Sequence, residues 1–419
     1  MTTVVLVGAL DTKRDDYRWL REELRARGAD TVLIDVGTFS DGAGADATPE
    51  DVARAAGRDL GELRAAGDRG GAMAAMADGA AVLVRRLYDE GRLDAVLAAA
   101  GSGGSSVAAH AMQALPVGVP KLLVSTMASG DVSPYVGATD VTLMYSVADV
   151  AGINSVSRVV LGNAVAAAWS MAEEHRARAS RPAPAEDRPL VGASMFGLTT
   201  PAVEEAKARL EELGYEVVVF HATGSGGRAM ETLVEGGFLA GVLDLTTTEL
   251  ADELVGGVLT AGPRRLEAAG RHGVPQVVST GALDMVNFGG WETVPERFAD
   301  RTFLVHNPTV TLMRTTAAES ADLGALIAGK LRAATGPAHV LVPERGFSGI
   351  DVEGGPFCDP DADAALVTAL EDGLAGSRVP VERLDLAIND PGFGAAAADA
   401  LHRLITTAAT AAAPDEGTH

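Results

Sequence analysis

One cysteine, four lysines, few aromatics and no long apolar run narrow the field before any motif of this 419-residue chain is read. A lone thiol, Cys358, permits no internal disulfide and no thiolate metal cluster, and is expected as a small buried hydrophobe. Met1-Thr2-Thr3 runs directly into Val4-Val5-Leu6-Val7 without a basic leader, and no stretch of about 18 apolar residues is available to span a bilayer. The expectation is a cytoplasmic protein with no membrane partner. Basic charge is also scarce. A net charge of −23 excludes the broad basic face that displaces counterions from nucleic acid, so no nucleic-acid partner is expected. Lysine occurs only at Lys13, Lys121, Lys207 and Lys330, which makes any lysine beside a motif conspicuous.

What the chain has in quantity is hydrophobic residues, 47%, enough to bury a large core, and length favours two domains. Short β-branched runs alternate with alanine-rich helical stretches, the pattern of parallel sheets covered by helices. Strands are predicted at Val4 to Leu10, Thr31 to Val36, Ala95 to Ala99 and Lys121 to Ser125, then at Leu190 to Met195, Glu216 to Phe220, Gly241 to Leu245 and Gln276 to Ser279, with later ones at Thr302 to Val305, His339 to Val342 and Leu384 to Ile388. Helices are predicted at Asp15 to Arg27, Ala72 to Tyr88 and Val107 to Leu115, with one long helix from about Gly152 to Glu174. Its Trp169 and Met171 read as core or subunit contact. The charged, proline-rich segment before Leu190 reads as a linker. The fold class is therefore α/β, two Rossmann-like lobes with mainly parallel sheets. The N-terminal lobe covers residues 1–180, the linker 181–189, the C-terminal lobe 190–407 and a frayed tail 408–419.

Ligands of open parallel sheets bind beyond the carboxyl ends of strands, so the loops there carry the functional reading. The first is Gly8-Ala-Leu-Asp-Thr-Lys13: Lys13 suits a phosphate as a point charge, and Thr12 suits a phosphate oxygen or magnesium. Equally, Asp11 or Thr12 caps the next helix and Lys13 is solvated. The second, Gly101-Ser102-Gly103-Gly104-Ser105-Ser106, combines glycine freedom with a following helix N-terminus, an anion-site signal. It is neither a Walker loop nor a full dinucleotide fingerprint. The third follows a C-lobe strand, where Gly224, Gly226 and Ala229 meet the looser G-x-G-x-x-A pattern and Asp244 falls about 20 residues on, as for a ribose-binding acid.

Further polar residues gather after strands. They include Ser125 and Thr126 in the N-lobe and Thr223, Asp244, Glu249, Asp284 and His306 in the C-lobe. Asp244, Glu249 and Asp284 are candidate magnesium ligands, although each taken alone is more often a cap or loop hydrogen-bonder than a ligand. Lys13, His221, Asp244 and His306 are the candidate catalytic groups, although a lone histidine after a strand is more often structural. No G-x-S-x-G elbow and no H-E-x-x-H zinc motif occur.

Several longer strings go together: Gly8 to Lys13, Ser125 to Asp131, Asp149 to Asn154, Phe220 to Glu231, Leu243 to Asp252, Asp284 to Phe288 and His306 to Pro308. In that order, from about Val4 to Phe393, they resemble the Tm-1-like ATP-binding domain family. It is an uncharacterised family that includes the N-terminal domain of the tomato resistance protein against tomato mosaic virus. The resemblance implies two Rossmann-like lobes, ATP with magnesium, and homodimers, and it assigns no reaction. The family's glycine loop commonly closes with threonine where Ser105 stands, which keeps the hydroxyl. The plant member's TIM-barrel-like second domain has no counterpart in this sequence, and its binding of a viral replication protein is not carried over.

The expected function is ATP binding, with Asp11, Thr12, Lys13, Gly101 to Ser105, Ser125, Thr126, Thr223, Gly224, Gly226 and Gly227 holding the nucleotide in a cleft between the lobes. Phosphoryl transfer to a small molecule, or its activation, would suit such a site. A nucleotide-gated binding module without turnover and a dinucleotide enzyme built on Gly224 to Ala229 stay open beside it.

Overall fold

The computed structural model describes residues 1–181 and 188–412. Contacts divide the chain into two units, Met1–Pro184 and Ala185–His419. The expected linker lies largely on residues outside the described ones. The expected tail is helical to Ala412, and its remainder is also outside them.

The N-terminal unit runs β1 (Thr3–Gly8), α1 (Leu10–Ala26), β2 (Asp30–Asp35), α2 (Pro49–Ala55), α3 (Leu60–Ala66), α4 (Arg69–Asp89), β3 (Ala95–Ala100), α5 (Ser102–Gln113), β4 (Lys121–Ser125), α6 (Ser133–Val136), β5 (Thr142–Tyr145) and α7 (Ser155–Ala179). Its five strands are parallel in the order β2-β1-β3-β4-β5, the doubly wound arrangement whose direction of growth reverses between β1 and β3. Strand periodicity divides the core. Val5 and Val7 pack with α2, α4 and α5 on one face, and Val4 and Leu6 pack with α1 and α7 on the other. Both faces are covered, so β3 is the uninterrupted run Ala-Val-Leu-Ala-Ala-Ala, buried throughout. The long helix begins at Ser155 rather than Gly152, because Asn154 caps it by accepting from the Val156 and Ser157 amides. Trp169 and Met171 pack, half-buried, against the core shared with α1.

The C-terminal unit runs β6 (Leu190–Met195), α8 (Thr200–Glu212), β7 (Glu216–His221), α9 (Ser225–Glu235), β8 (Gly241–Thr246), α10 (Thr248–Val255), α11 (Ala268–His272), β9 (Gln276–Gly281), β10 (Met285–Phe288), β11 (Phe303–Asn307), β12 (Val310–Arg314), α12 (Ala317–Arg332), β13 (Ala338–Pro343), α13 (Pro360–Leu374), β14 (Val381–Leu384) and α14 (Phe393–Ala412). Its main sheet, β14-β13-β9-β8-β6-β7, is again all parallel and repeats the doubly wound order with one strand added. Three expectations change here. The strand predicted from Thr302 lies outside the main sheet, in an antiparallel sheet β10-β12-β11. The last strand occupies Val381–Leu384 instead of Leu384 to Ile388. Cys358 is exposed, since its neighbour Phe357 takes the buried position in that turn. No described helix is long and apolar enough to cross a membrane.

Candidate functional site

The loops after β1 and β3 meet at the reversal point of the N-terminal sheet, where doubly wound folds open a crevice. A cavity of about 700 Å³ lies there. Asp11, Thr12, Lys13, Gly101, Ser102, Gly103, Gly104 and Thr126 all line it, so the structure brings together the two N-lobe loops singled out in the sequence.

Both segments prove to be helix ends rather than loops. Helix α5 starts at Ser102 with Gly101 at its cap position, and its first internal bond runs from the Ser105 amide to the Gly101 carbonyl. The amides of Ser102, Gly103 and Gly104 precede that bond and give the helix end its anion-attracting character. Glycine is needed for space: a Cβ on Gly104 would sit 2.8 Å from that of Ala100. Ser105 and Ser125 are not wall residues. They are fully buried and joined Oγ to Oγ at 2.7 Å, tying the first turn of α5 to the end of β4, which corrects their expected place in the ligand set.

The α1 end is different. The buried Asp35 at the end of β2 accepts from the Leu10 amide at 3.0 Å and from the Gly37 amide at 2.9 Å. Burial pushes its carboxyl upward against those bonds and that of Ser40. A carboxylate thus already serves the first α1 amide, leaving α5 as the open helix end. Neither Asp11 nor Thr12 caps α1: Asp11 Oδ2 accepts from the Phe39 amide at 3.2 Å, and the Thr12 hydroxyl donates to the Ala9 carbonyl at 3.3 Å. Lys13 leaves helical geometry (φ −132°, ψ 28°), and its ammonium donates to the Val150 carbonyl.

The rest of the wall escaped sequence reading. Phe39, Leu63, Met73 and Val107 make it apolar, while Arg64, Arg69, Asp68 and Asp149 add charge. Asp68 is committed as the cap of α4, accepting from the Gly71 amide at 3.0 Å. The signal available in the sequence was Gly37-Thr-Phe-Ser-Asp41, a third strand-end loop, and Asp149 opened one of the recognised strings.

In the C-terminal unit the glycine loop is already filled. Glu249 Oε1 accepts from the amides of Gly224 at 2.6 Å and Gly227 at 3.1 Å. A Cβ on Gly227 would fall 2.1 Å from Glu249 Oε2. Arg265 then binds Glu249 through Nε at 2.6 Å and Asp244 through both terminal nitrogens at 2.5 and 2.6 Å. All three side chains are buried. Burial opposes the charge on Arg265, yet the carboxylates of Asp244, Glu249 and Glu231 hold it firmly protonated. The magnesium assignment of Asp244 and Glu249 is corrected accordingly, since a guanidinium occupies the place between them. Asp244 is likewise spent as a catalytic candidate, with Ser194 adding a bond at 2.6 Å.

Asp284 is fully buried and bonded to the Ser348 hydroxyl at 2.8 Å. Burial raises its carboxyl to about 7, with the Arg314 guanidinium opposing the shift. With Oδ2 taken by the Ser348 hydroxyl and the Arg314 guanidinium beside it, Asp284 is a poor magnesium ligand, so this assignment is corrected too. Among the described residues no cluster of three acidic, histidine or cysteine side chains is placed to hold a metal. Beside it, Asp351 and Asp363 line a second cavity of about 790 Å³ whose walls carry five carboxylates against two guanidinium groups. His221, exposed at the end of β7, packs edge-on to Phe196 at 5.8 Å, and Thr223 donates to the His221 carbonyl at 3.3 Å. His306 is exposed on the antiparallel hairpin, on a different element from Asp244.

Comparison with known proteins agrees with the recognised strings. Models of the N-terminal and C-terminal domains of an uncharacterised protein family, UPF0261, match residues 2–177 and 188–405. The chain is 45% identical to a UPF0261 protein of Clostridium tetani, covering 95% of this chain and 98% of that one, and 46% identical to the UPF0261 protein RA0729 of Rhizobium meliloti over the same shares. It is 41% identical to the ToMV resistance protein Tm-1(GCR237) of Solanum lycopersicum, across 94% of this chain and 55% of the tomato protein. Among solved structures, the S. aureus MnaA-UDP co-structure aligns over 90% of this chain and 97% of that one at 9% identity and a TM-score of 0.23, a likeness that carries no argument. With both domain models matched and close full-length relatives, the chain belongs to the uncharacterised protein family UPF0261.

Proposed function

We propose that the N-terminal unit binds ATP, with the triphosphate at the start of α5 beside Lys13. One observation carries the reading: the cavity at the β1/β3 reversal joins an open, glycine-lined helix end and a lysine to an apolar wall of Leu63, Met73 and Val107. Anion and aromatic base need those two surfaces side by side. Its volume of about 700 Å³ suits a nucleotide. The second cavity, ringed by carboxylates, would repel a triphosphate. The dinucleotide reading loses its anchor, because Glu249 takes the Gly224 and Gly227 amides.

Magnesium enters this reading with the nucleotide, its ligands being phosphate oxygens and water with at most one wall carboxylate, Asp11 or Asp149. The reading also takes a homodimer from the resemblance and keeps the cytoplasmic location expected from the sequence. Nucleotide-gated binding without turnover is the non-enzymatic version of this reading. Phosphoryl transfer to a small molecule, which needs chiefly positioning and charge, is the enzymatic version. Calorimetry with ATP, ADP, NAD and NADP, with and without magnesium, tests the proposal. Binding of ATP, weakened in Lys13→Ala, is expected; binding of NAD without ATP would overturn it. Turnover of bound ATP then separates the enzyme from the gated module.

A further inference from the structure

Phe39 sits on the rim of the N-terminal cavity and is 75% exposed. A single exposed apolar side chain is ordinary on a protein surface. This one is held on an unusually constrained turn. The Gly37 amide is bound by Asp35 at 2.9 Å, the Phe39 amide by Asp11 at 3.2 Å, and the Ser40 amide by the Gly37 carbonyl at 2.9 Å. Arg64 grips the carbonyls on either side of the phenylalanine, Thr38 through Nε at 2.6 Å and Ser40 through a terminal nitrogen at 2.9 Å. Arg14 pairs with Asp41 at the far end.

Every residue from Gly37 to Asp41 is therefore fastened, and the turn still presents its one large apolar side chain to the cavity instead of folding it into the core. Preorganised aromatic surface at a mouth of this kind is suited to a flat π-face, and base stacking on an aromatic ring needs no hydrogen-bond readout. The sulfur side chain of Met73 and the branched chains of Leu63 and Val107 also line the cavity and add adaptable apolar surface for a base.

We propose that Phe39 is the base-stacking residue of the site and gives it a preference for purine over pyrimidine nucleoside triphosphates. The assignment rests on the ATP reading and adds the residue that distinguishes a nucleotide from a bare polyphosphate. Arg64 acts as its positioning residue.

Isothermal calorimetry on the full chain, with magnesium, tests it using ATP, GTP, CTP and inorganic tripolyphosphate as probes against the wild type, Phe39→Ala and Phe39→Trp. In Phe39→Ala the dissociation constants for ATP and GTP are expected to rise about 10-fold, since loss of one stacked base costs on the order of 1–3 kcal/mol. Tripolyphosphate affinity stays unchanged, the purine preference collapses, and Phe39→Trp keeps ATP binding. Equal ATP affinity in the wild type and Phe39→Ala would overturn the stacking role while leaving ATP as the ligand. Parallel loss of tripolyphosphate would assign the effect to the turn and overturn it as well. Failure of the wild type to bind ATP would overturn the underlying reading first. Thermal unfolding of Phe39→Ala at the wild-type temperature confirms that the fold is intact, as expected for so exposed a ring.

Discussion

The carboxylate of Glu249 accepts from the Gly227 amide at 3.1 Å, so the glycine-rich helix end of the C-terminal unit already holds an anion of its own. Glu249 is bound in turn by Arg265, which bridges it to Asp244. The glycine-rich end of α5 in the N-terminal unit, which follows β3, carries no such internal plug among the described residues: the nearby Asp35 serves α1 instead. The two glycine-rich helix starts therefore differ: one is filled by a carboxylate of the interior, and the other lines a cavity.

Removing Glu249 should cost stability rather than open a site. In Glu249→Ala the Gly224 and Gly227 amides lose their acceptor and Arg265 keeps one close partner fewer, a change worth about 3–5 kcal/mol for a broken buried pair. The check is the urea midpoint of the C-terminal transition, and Gly227→Ala should lower it too, because its methyl would overlap Glu249. A neutral effect of both would contradict the plug.

Filling the mouth of α5 should do the reverse. Gly103→Val adds bulk where the nearest atom is the flexible Met73 methyl at 3.2 Å, so the fold is expected to survive while ATP affinity falls at least 10-fold. Calorimetry beside a thermal melt distinguishes this from unfolding.

Arg64→Ala should loosen the turn that carries Phe39. ATP affinity is expected to drop by about 1 kcal/mol, as for loss of a typical hydrogen-bond pair, with tripolyphosphate affinity unaltered. Amide hydrogen exchange over residues 37–41 should rise in the variant and be slowed by ATP in the wild type. No change in exchange would show that the turn is held by its other bonds alone.

A pH dependence follows from Asp252. Burial raises its carboxyl to about 7, opposed only in part by the Asn287 side-chain and backbone donors at 2.7 and 2.8 Å. In the unfolded chain the same group titrates at about 4. Between those values the folded state keeps a proton that the unfolded state has lost, so rising pH favours unfolding. Stability from this group is fully present below about pH 4 and is lost as pH climbs through about 7, with a slope of at most about 1.4 kcal/mol per pH unit. Urea midpoints measured from pH 5 to 8 should fall with this sign, and the slope should flatten in Asp252→Asn. An unchanged slope in that variant would exclude Asp252 as the source.

Much of the architecture was written locally. A short uninterrupted apolar run such as Ala95 to Ala100 suits a strand buried on both faces, and the alternation of such runs with helical stretches points to parallel sheets. Gly101, Gly103 and Gly104 and the scarce lysine at 13 marked the cavity because a glycine-rich helix start and a neighbouring ammonium are both anion-attracting features. What the sequence read as loops were first helical turns, because α1 and α5 begin without a side-chain cap that would mark their starts. Which glycine-rich helix end the interior would fill was beyond local reading altogether. Glu249 lies 22 residues from Gly227 and Arg265 a further 16, and nothing in composition or spacing says that one carboxylate will fill the glycine loop and one guanidinium will sit where a metal ion was expected. Local sequence determined the strands, the glycines and the charges; the tertiary fold alone decided which charges neutralise one another in the interior and which helix end is left to bind something else, because burial obliges every ionised group to find its partner across the chain.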